Sequence, residues 1–408
     1  MPDARTVAAL VEEAHRHHWP FVLAATVRLT RDLDLAEDCA QDAYLQALRT
    51  WPAGVPDNPP AWLTTVARRV ALDRLRRETT LRRKLPLLAV EDDGADDERP
   101  TGPLRLLFTC CHPALSSEAQ VALTLRLMCG LTTSEVAAAL LLRPATAAAR
   151  ITRAKQKIAA AGIPFRVPAD PELPARLDSV LTVVHLLYTA GHTAAGPELT
   201  RPDVAARAVD LARLLVRLMP DQPEAQGLLA LLLMGQARGQ SRVGDDGALV
   251  LLADQDRSGW DRALVHEGVA RATAALHQGT GRFALQAAIA GLHSVAPSWE
   301  ATDWFQIVRM YDALLLRWPS PVVSLNRAAA HSLVPGADLA AVLVELDLLA
   351  EEPSLRSYAY LPATRADVLT RLGRYDDARA AYDAAIGLAS NDREQRFLRN
   401  RRDQLTSA

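Results

Sequence analysis

The sequence predicts an all-α protein. Apolar side chains recur three and four residues apart through most of its 408 residues, which is the spacing of one buried helix face. Prolines and glycines interrupt this spacing at intervals, where helices are expected to end. Thr132 followed three residues later by Glu135 has the composition of a capping box that starts a helix. A chain of this length is expected to form two or three domains.

The composition excludes several classes of protein. The 46 basic and 48 acidic residues nearly balance, so any nucleic-acid surface must come from local clusters. The apolar runs, such as residues 227–234, are shorter than the about 20 residues that cross a bilayer, and the N-terminus lacks a signal-like pattern. We therefore expect a soluble, cytoplasmic protein with no membrane partner.

The four cysteines predict neither a disulfide framework nor a paired CxxC metal site. Buried thiols are the favoured interpretation. A metal at Cys110, Cys111 and His112 is the alternative, although adjacent ligands give poor zinc geometry. We predict no metal and no cofactor.

Residues 5–50 are predicted to be helical, with a break and a new start at Asp32 and Asp34. After the break, small apolar residues form one face, and Asp38, Gln41 and Asp42 point outward. An acidic face suits a basic protein partner rather than DNA; a merely solvated face is the alternative.

A proline-rich loop that contains Asn58 is predicted to lead into a basic helix. Trp62 begins the inward stripe of this helix. A rigid loop next to a basic helix suits a nucleic-acid backbone with a few unstacked bases, and a solvated helix is the alternative. The basic residues of this helix are Arg68, Arg69, Arg74, Arg76 and Arg77.

Residues 131–160 predict two short helices joined by a tight turn. The second helix has Ile151, Ala154 and Ile158 on its buried side and basic residues elsewhere. This pattern is typical of a helix-turn-helix whose second helix enters the major groove, and an ordinary surface hairpin is the alternative.

Three segments in this order resemble a known family: AEDCAQDAYLQALRTW, NPPAWLTTVARRVALDRLRRE and LSSEAQVALTLRLMCGLTTSEVAAALLLRPATAAARITRAKQKI. They are similar to regions 2 and 4 of bacterial RNA polymerase sigma factors of the extracytoplasmic-function (ECF) type. The resemblance implies that Asp38, Gln41 and Asp42 dock on the β′ clamp helices of core RNA polymerase, and that the β flap is a further contact. It also implies that the loop and basic helix hold the promoter minus-ten element and that the helix-turn-helix reads the minus-thirty-five element.

The second helix departs from the family pattern, because Ala147, Ala148 and Ala149 stand where base-reading side chains are expected. Alanine cannot form a bidentate hydrogen bond to a base, so we expect weak discrimination at the minus-thirty-five element. The predicted DNA-binding residues of this segment are Arg143, Thr146, Arg150, Arg153 and Lys155.

The predicted domains are region 2 (1–80), a flexible linker (81–115), region 4 (116–162), a proline-rich hinge (163–175) and a helical, repeat-like domain (176–408). The last domain contains one good tetratricopeptide-like repeat around residues 372–390 and a looser copy at 326–346. A subset of the family is similar in carrying such an extension, which implies regulation of the sigma module and a small YCII-related protein as a possible partner.

One polar cluster interrupts the apolar helices of this domain. We predict either a ligand or partner pocket there, or helix capping combined with a structural Arg–carboxylate pair. The cluster consists of Asp254, Gln255, Asp256, Arg257, Trp260 and Asp261.

The sequence as a whole predicts a promoter-specificity subunit that is not an enzyme, since neither a GxSxG nor a GxxxxGK[ST] motif is present. A helix-turn-helix regulator with a ligand- or protein-sensing C-terminal domain is one alternative. A tetratricopeptide-like interaction scaffold is the other.

Overall fold

The structure is a computed structural model that describes residues 4–81, 102–140, 142–169, 171–192, 202–242, 244, 250–389 and 392–405. All regular elements in these ranges are helical, which confirms the predicted all-α class. The chain divides into two compact units, Met1–Leu187 and Tyr188–Ala408. None of the helices that the structure describes combines the length and apolar composition of a bilayer-spanning segment.

The helices of the first unit are α1 (Ala4–Thr30), α2 (Leu33–Thr50), α3 (Pro59–Leu81), α4 (Gly102–Cys110), α5 (Ser117–Leu123), α6 (Thr133–Ala139), α7 (Pro144–Ala160) and most of α8 (Leu173–His192). The second unit contains α9 (Pro202–Leu218), α10 (Pro223–Ala237), α11 (Arg262–Gln278), α12 (Arg282–Val295), α13 (Trp304–Arg317), α14 (Pro321–Ser332), α15 (Leu339–Ala350), α16 (Tyr360–Arg371), α17 (Tyr375–Leu388) and α18 (Asp392–Gln404).

Helices α1, α2 and α3 pack against one another and share a core. The predicted break before α2 is confirmed: the Asp32 side chain caps the helix by accepting hydrogen bonds from the amides of Asp34 (2.8 Å) and Leu35 (2.9 Å). Ala43 of α2 and Leu63 of α3 are fully buried. The packing therefore leaves the acidic face of α2 outside the core.

Helix α4 corrects part of the predicted flexible linker. Residues 82–101, including the acidic run at 91–98, lie outside the described residues, but Gly102–Cys110 is a helix whose Leu106, Leu107 and Phe108 are at most 1% exposed. These side chains are apolar and fill the space beside α1. The predicted linker included this short apolar helix because the residues before it are polar.

Helices α6 and α7 form the predicted helix-turn-helix. The capping box is confirmed, since Glu135 N–H donates to the Thr132 hydroxyl (3.2 Å) and Thr132 N–H donates to the Glu135 carboxylate (2.7 Å). Helix α7 begins with Pro144, a favourable first residue because it lacks the N–H that would lose its partner there. Leu141 of the predicted turn lies outside the described residues.

The boundary between the two units falls inside α8, after Leu187, rather than in the proline-rich residues 163–175. The Thr109 hydroxyl donates to the carbonyl of Pro164 (3.3 Å), and Arg176 donates to the carbonyl of Phe108 (2.6 Å). The predicted hinge is therefore attached to α4, and the first part of α8 belongs to the first unit.

The second unit is a succession of helices that pack mainly on their neighbours in sequence. Helices α16 and α17 form the predicted tetratricopeptide-like pair, joined by a turn in which Gly373 has a φ of 73°. Ala378, Tyr382 and Ala385 of that pair are buried, as the repeat spacing requires. The looser predicted copy corresponds to α14 and α15.

Candidate promoter and polymerase interface

The acidic face of α2 is exposed and is held by one arginine. Arg74 of α3 donates to the carboxylates of Asp38 (3.4 Å) and Asp42 (2.5 Å). Gln41, which is exposed between them, donates to Glu37 at 3.5 Å. The three residues predicted to bind polymerase thus share one surface, and Arg74, predicted to bind DNA, lies at its border.

The loop before α3 and the first turn of that helix form a rigid corner. Asn58 accepts a hydrogen bond from the amide of Ala61 (3.1 Å), so its side chain caps α3. The half-buried ring of Trp62 packs edge-on against buried Trp51, with 5.8 Å between ring centroids. The corner therefore presents the start of α3 in a fixed orientation.

The basic face of α3 surrounds a shallow open depression lined by Thr65, Arg68, Arg69, Leu72, Asp73 and Arg76. Arg68, Arg69, Arg76 and Arg77 are all exposed. A cationic, open surface of this kind suits a phosphate backbone better than a small enclosed ligand.

Helix α7 has an exposed side and a buried side. Arg143, Thr146 and Arg153 are exposed and Arg150 is half-buried. Ala147 is fully buried together with Ile151. The alanine that replaces a base-reading residue is therefore a packing residue of the helix-turn-helix core, while Ala148 and Ala149 remain exposed.

An ion-pair cluster centred on buried Glu37 joins the helix-turn-helix segment to α2. We call Glu37, Lys155, Arg126 and Asp34 the clasp. Lys155 Nζ lies 2.8 Å from Glu37 Oε2 and 2.6 Å from Asp34 Oδ1, and Arg126 also pairs with Glu37. The side chain of Glu37 is only 4% exposed and that of Lys155 only 10%. Burial alone would lower the pKa of Lys155, but the carboxylates of Glu37 and Asp34 outweigh it and raise that pKa above its usual value.

The prediction that Lys155 contacts DNA does not fit this geometry. At 3.6 residues per turn, Lys155 lies about 140° around α7 from Arg150, and its ammonium group is already paired with two carboxylates. Sequence reasoning missed Glu37 because an acid beside the predicted outward residues looks solvated, and its burial depends on partners more than 80 residues away in the chain.

The predicted polar cluster of the second unit is a capping site in part. Asp256 accepts from the amide of Ser258 (2.8 Å), and Asp261 caps α11 by accepting from the amides of Ala263 (2.9 Å) and Leu264 (3.1 Å). Arg257 forms no ion pair with a carboxylate among the described residues, and it donates instead to two backbone carbonyls. Gln255 and Trp260 are buried, and Asp254 is exposed.

Known sigma-factor families match both modules of the first unit. Family models match the chain as sigma-70 region 2 over residues 14–80 and sigma-70 region 4 over residues 105–158. A probable ECF RNA polymerase sigma factor, SigI, from two strains of Mycobacterium tuberculosis is 32% identical over 84 residues, which are 21% of this chain and 29% of SigI. The chain is an ECF-type sigma factor with a C-terminal extension.

Further matches cover the C-terminal extension. A family of unknown function, DUF6596, matches residues 176–276 of the sigma factor. An uncharacterized protein of Rhizobium meliloti is 41% identical over 401 residues, 95% of this chain and 94% of that protein. The sigma factor belongs to the same full-length family as that protein. No solved structure matches the chain.

Membership of the sigma factors accounts for the two modules of the first unit. Sigma factors bind core RNA polymerase and promoter DNA to initiate transcription, and sigma factor families are not enzymes. The acidic face of α2, the basic face of α3 and the exposed side of α7 are charged surfaces of these modules.

Proposed function

We propose that this sigma factor recruits core polymerase through the acidic face of α2 and engages promoter DNA through the faces of α3 and α7, under control of its C-terminal unit. The observation that carries the proposal is the separation of charge between neighbouring helices of one bundle. The acidic residues of α2 and the exposed arginines of α3 occupy different faces, so that a basic protein and a nucleic acid can be bound together.

The polymerase contact is assigned to Asp38, Gln41 and Asp42, with the β′ clamp helices as partner and the β flap as the contact of the helix-turn-helix module. The exposure of Asp38 and Gln41 supports this assignment. Arg74 preorganises Asp38 and Asp42 by holding both carboxylates from one side. A basic partner can then approach the other side without first ordering them.

The DNA contact is assigned to Asn58, Trp62, Arg68, Arg69, Arg76 and Arg77 for the minus-ten element. For the minus-thirty-five element the assigned residues are Arg143, Thr146, Arg150 and Arg153. Arg74 is assigned to the border of the two surfaces, where it holds the carboxylates of the acidic face. Lys155 is left out of the DNA surface.

In vitro transcription with core polymerase tests the polymerase assignment. The Gln41→Ala/Asp42→Ala variant of the full chain is expected to lose promoter-dependent transcripts and to bind core polymerase more weakly. Gln46→Ala is the control, because Gln46 is exposed on the same helix but is not one of the three residues assigned to polymerase. Equal activity of the two variants contradicts the assignment.

The regulatory role is assigned to the C-terminal unit, with a small YCII-related protein as its proposed partner. The support is its size: residues 188–408 form a unit with cores of their own, beyond the two sigma modules. Transcription by the full chain and by residues 1–192 tests this role. A change in transcript yield in either direction is expected, and equal yields contradict regulation.

The two alternatives predict different outcomes of the same assay. A helix-turn-helix regulator binds duplex DNA without polymerase and starts no transcript. An interaction scaffold does neither. Neither alternative gives a role to the preorganised acidic face of α2, and this is why the sigma mechanism, in which polymerase supplies the chemistry, is preferred.

A further inference from the structure

Three arginines lie on adjacent turns of the C-terminal unit; we call Arg238, Arg242 and Arg257 the arginine cluster. Arg238 follows the end of α10, and the short helical turn Gln240–Arg242 contacts the turn Arg257–Gly259. The amide of Asp261 donates to the carbonyl of Ala237 at 3.0 Å and fixes the second turn against the end of α10. The backbone thus brings three guanidinium groups to one region of the unit.

The charge of this cluster is poorly compensated around Arg238. Burial lowers the pKa of Arg238, and the positive charges of Arg242 and Arg257 lower it further. The negative charge of Glu394 raises the pKa of Arg242, and that of exposed Glu300 raises the pKa of Arg257, in each case against a larger lowering by burial. Among the described residues, no carboxylate charge influences the pKa of Arg238. A buried charge without a counterion costs folding free energy.

Two buried donors beside the cluster have no acceptor among the described residues. Arg257 uses Nη1 to donate to the carbonyls of His293 (2.5 Å) and Ala296 (2.7 Å), but its Nη2 is buried and makes no such bond. The same is true of Nε1 of Trp260, a residue that is 5% exposed and whose ring centroid lies 5.0 Å from the Arg257 guanidinium carbon. Unsatisfied buried donors are rare in native proteins and indicate a bound water or ion.

The surroundings favour an anion over water as the acceptor. His293 lies at the same place, and its pKa is lowered to about 4 by burial and by Arg238 and Arg257. The imidazole is therefore neutral at pH 7, and the positive charge of the site comes from the arginines. An anion satisfies the unpaired donors and offsets the arginine charge at once, whereas a water molecule does only the first.

We propose that Arg238, Arg257 and Trp260 bind the phosphate group of a small phosphorylated molecule. The planar guanidinium matches two phosphate oxygens at a time, and a phosphate near neutral pH carries enough charge for two arginines. The indole N–H supplies a further neutral donor. This proposal does not depend on the sigma role of the first unit.

Inorganic phosphate, added to the full chain at constant ionic strength, is the probe. Phosphate is expected to raise the unfolding temperature and to shift the Trp260 indole N–H resonance, which a Trp260→Phe variant identifies among the seven tryptophans. Acetate at the same ionic strength is expected to have a smaller effect. Arg238→Gln is expected to weaken phosphate binding by at least about tenfold, the loss of one charge-assisted hydrogen bond.

Arg356→Gln is the matched control, because Arg356 is an exposed arginine of the same unit with no described ion pair. It is expected to bind phosphate like the unchanged chain. Arg257→Gln also removes two hydrogen bonds to backbone carbonyls, so this variant is at risk of misfolding. Arg238→Gln is therefore the variant that tests phosphate binding.

Three results would overturn the proposal: no response to phosphate in the millimolar range, an equal response in Arg238→Gln, or tighter binding of acetate than of phosphate. Asp245 and Asp246 lie outside the described residues and are the intramolecular alternative. If the full chain does not bind phosphate but the Asp245→Asn/Asp246→Asn variant does, the arginine cluster is compensated by the chain itself.

Discussion

At the residue scale, Lys155 and Arg150 lie five positions apart on α7 and are assigned different roles. Lys155 is paired with Glu37 and Asp34, whereas Arg150 lies on the side assigned to DNA. Charge alone does not distinguish the two residues in the sequence. Their position around the helix and the partners that reach them do.

The salt dependence of duplex DNA binding separates these two roles. Arg150→Met is expected to reduce the slope of log affinity against log salt by about one, because a phosphate contact releases about one counterion. Lys155→Met is expected to leave that slope unchanged. The measurement is a binding titration at several salt concentrations. A slope reduced equally in both variants would show that Lys155 also contacts phosphate, and an unchanged slope in both would contradict the role of Arg150.

The stability of the C-terminal unit is expected to fall in acid because of His293. Its pKa is about 4 in the folded chain against an ordinary value of 6.5, so the unfolded state binds the proton more readily. The stabilisation from neutral His293 is complete above pH 6.5 and is lost as the pH falls toward 4, amounting to about 2 kcal/mol at pH 5. Denaturant unfolding at pH 5 and pH 7 measures this loss, and a His293→Gln variant should show a smaller difference between the two pH values.

At the element scale, the clasp makes α2 a helix with two functions. Asp38 and Gln41 are exposed, whereas Glu37, one turn before Gln41, is buried against Lys155 and Arg126. The helix-turn-helix segment is further attached through the Trp19 indole, which donates to the carbonyl of Leu127 (3.0 Å). In this conformation the first unit is one packed body.

Glu37→Gln tests the strength of the clasp. It leaves two buried cations without their shared carboxylate, so unfolding of the first unit should become easier by about 3 kcal/mol. Asp34→Asn is the control, because Asp34 contacts the same Lys155 but its side chain is 77% exposed; its loss should cost less than about 1 kcal/mol. Chemical denaturation measures both, and similar values for the two variants would mean that burial does not determine the strength of the clasp.

Local sequence is sufficient to predict most of the helices but not the burial of every side chain on them. The helix Trp304–Arg317 follows from local sequence alone, because Asp303 supplies the N-cap and the apolar spacing defines the rest. The helix at Gly102–Cys110 was missed, since nine residues next to a polar run give too short a periodic signal. The burial of Glu37 could not be predicted, because Lys155 is 118 positions away.

At the scale of the whole molecule, the division inside α8 determines where the chain can be cut. Leu177, Val180 and Leu181 of α8 are buried residues that belong to the first unit, and Arg176 donates to the carbonyl of Phe108. The sequence placed the boundary earlier because the prolines of residues 163–175 look like a linker. Those prolines lie in a segment that is attached to α4.

A truncation to residues 1–168 is therefore expected to be less stable than one to residues 1–192. The shorter fragment loses several buried aliphatic side chains, each contributing about 1.5–3 kcal/mol, and exposes the surface they covered. Thermal unfolding of the two fragments measures the difference. If the two unfold at the same temperature, the first half of α8 contributes nothing to the first unit.

The clasp also has an evolutionary consequence. One carboxylate at position 37 serves two cations from distant parts of the chain, so a neutral residue there is tolerated only if positions 126 and 155 lose their charge as well. Among full-length relatives these three positions should therefore vary together, while exposed position 34 should drift independently of them.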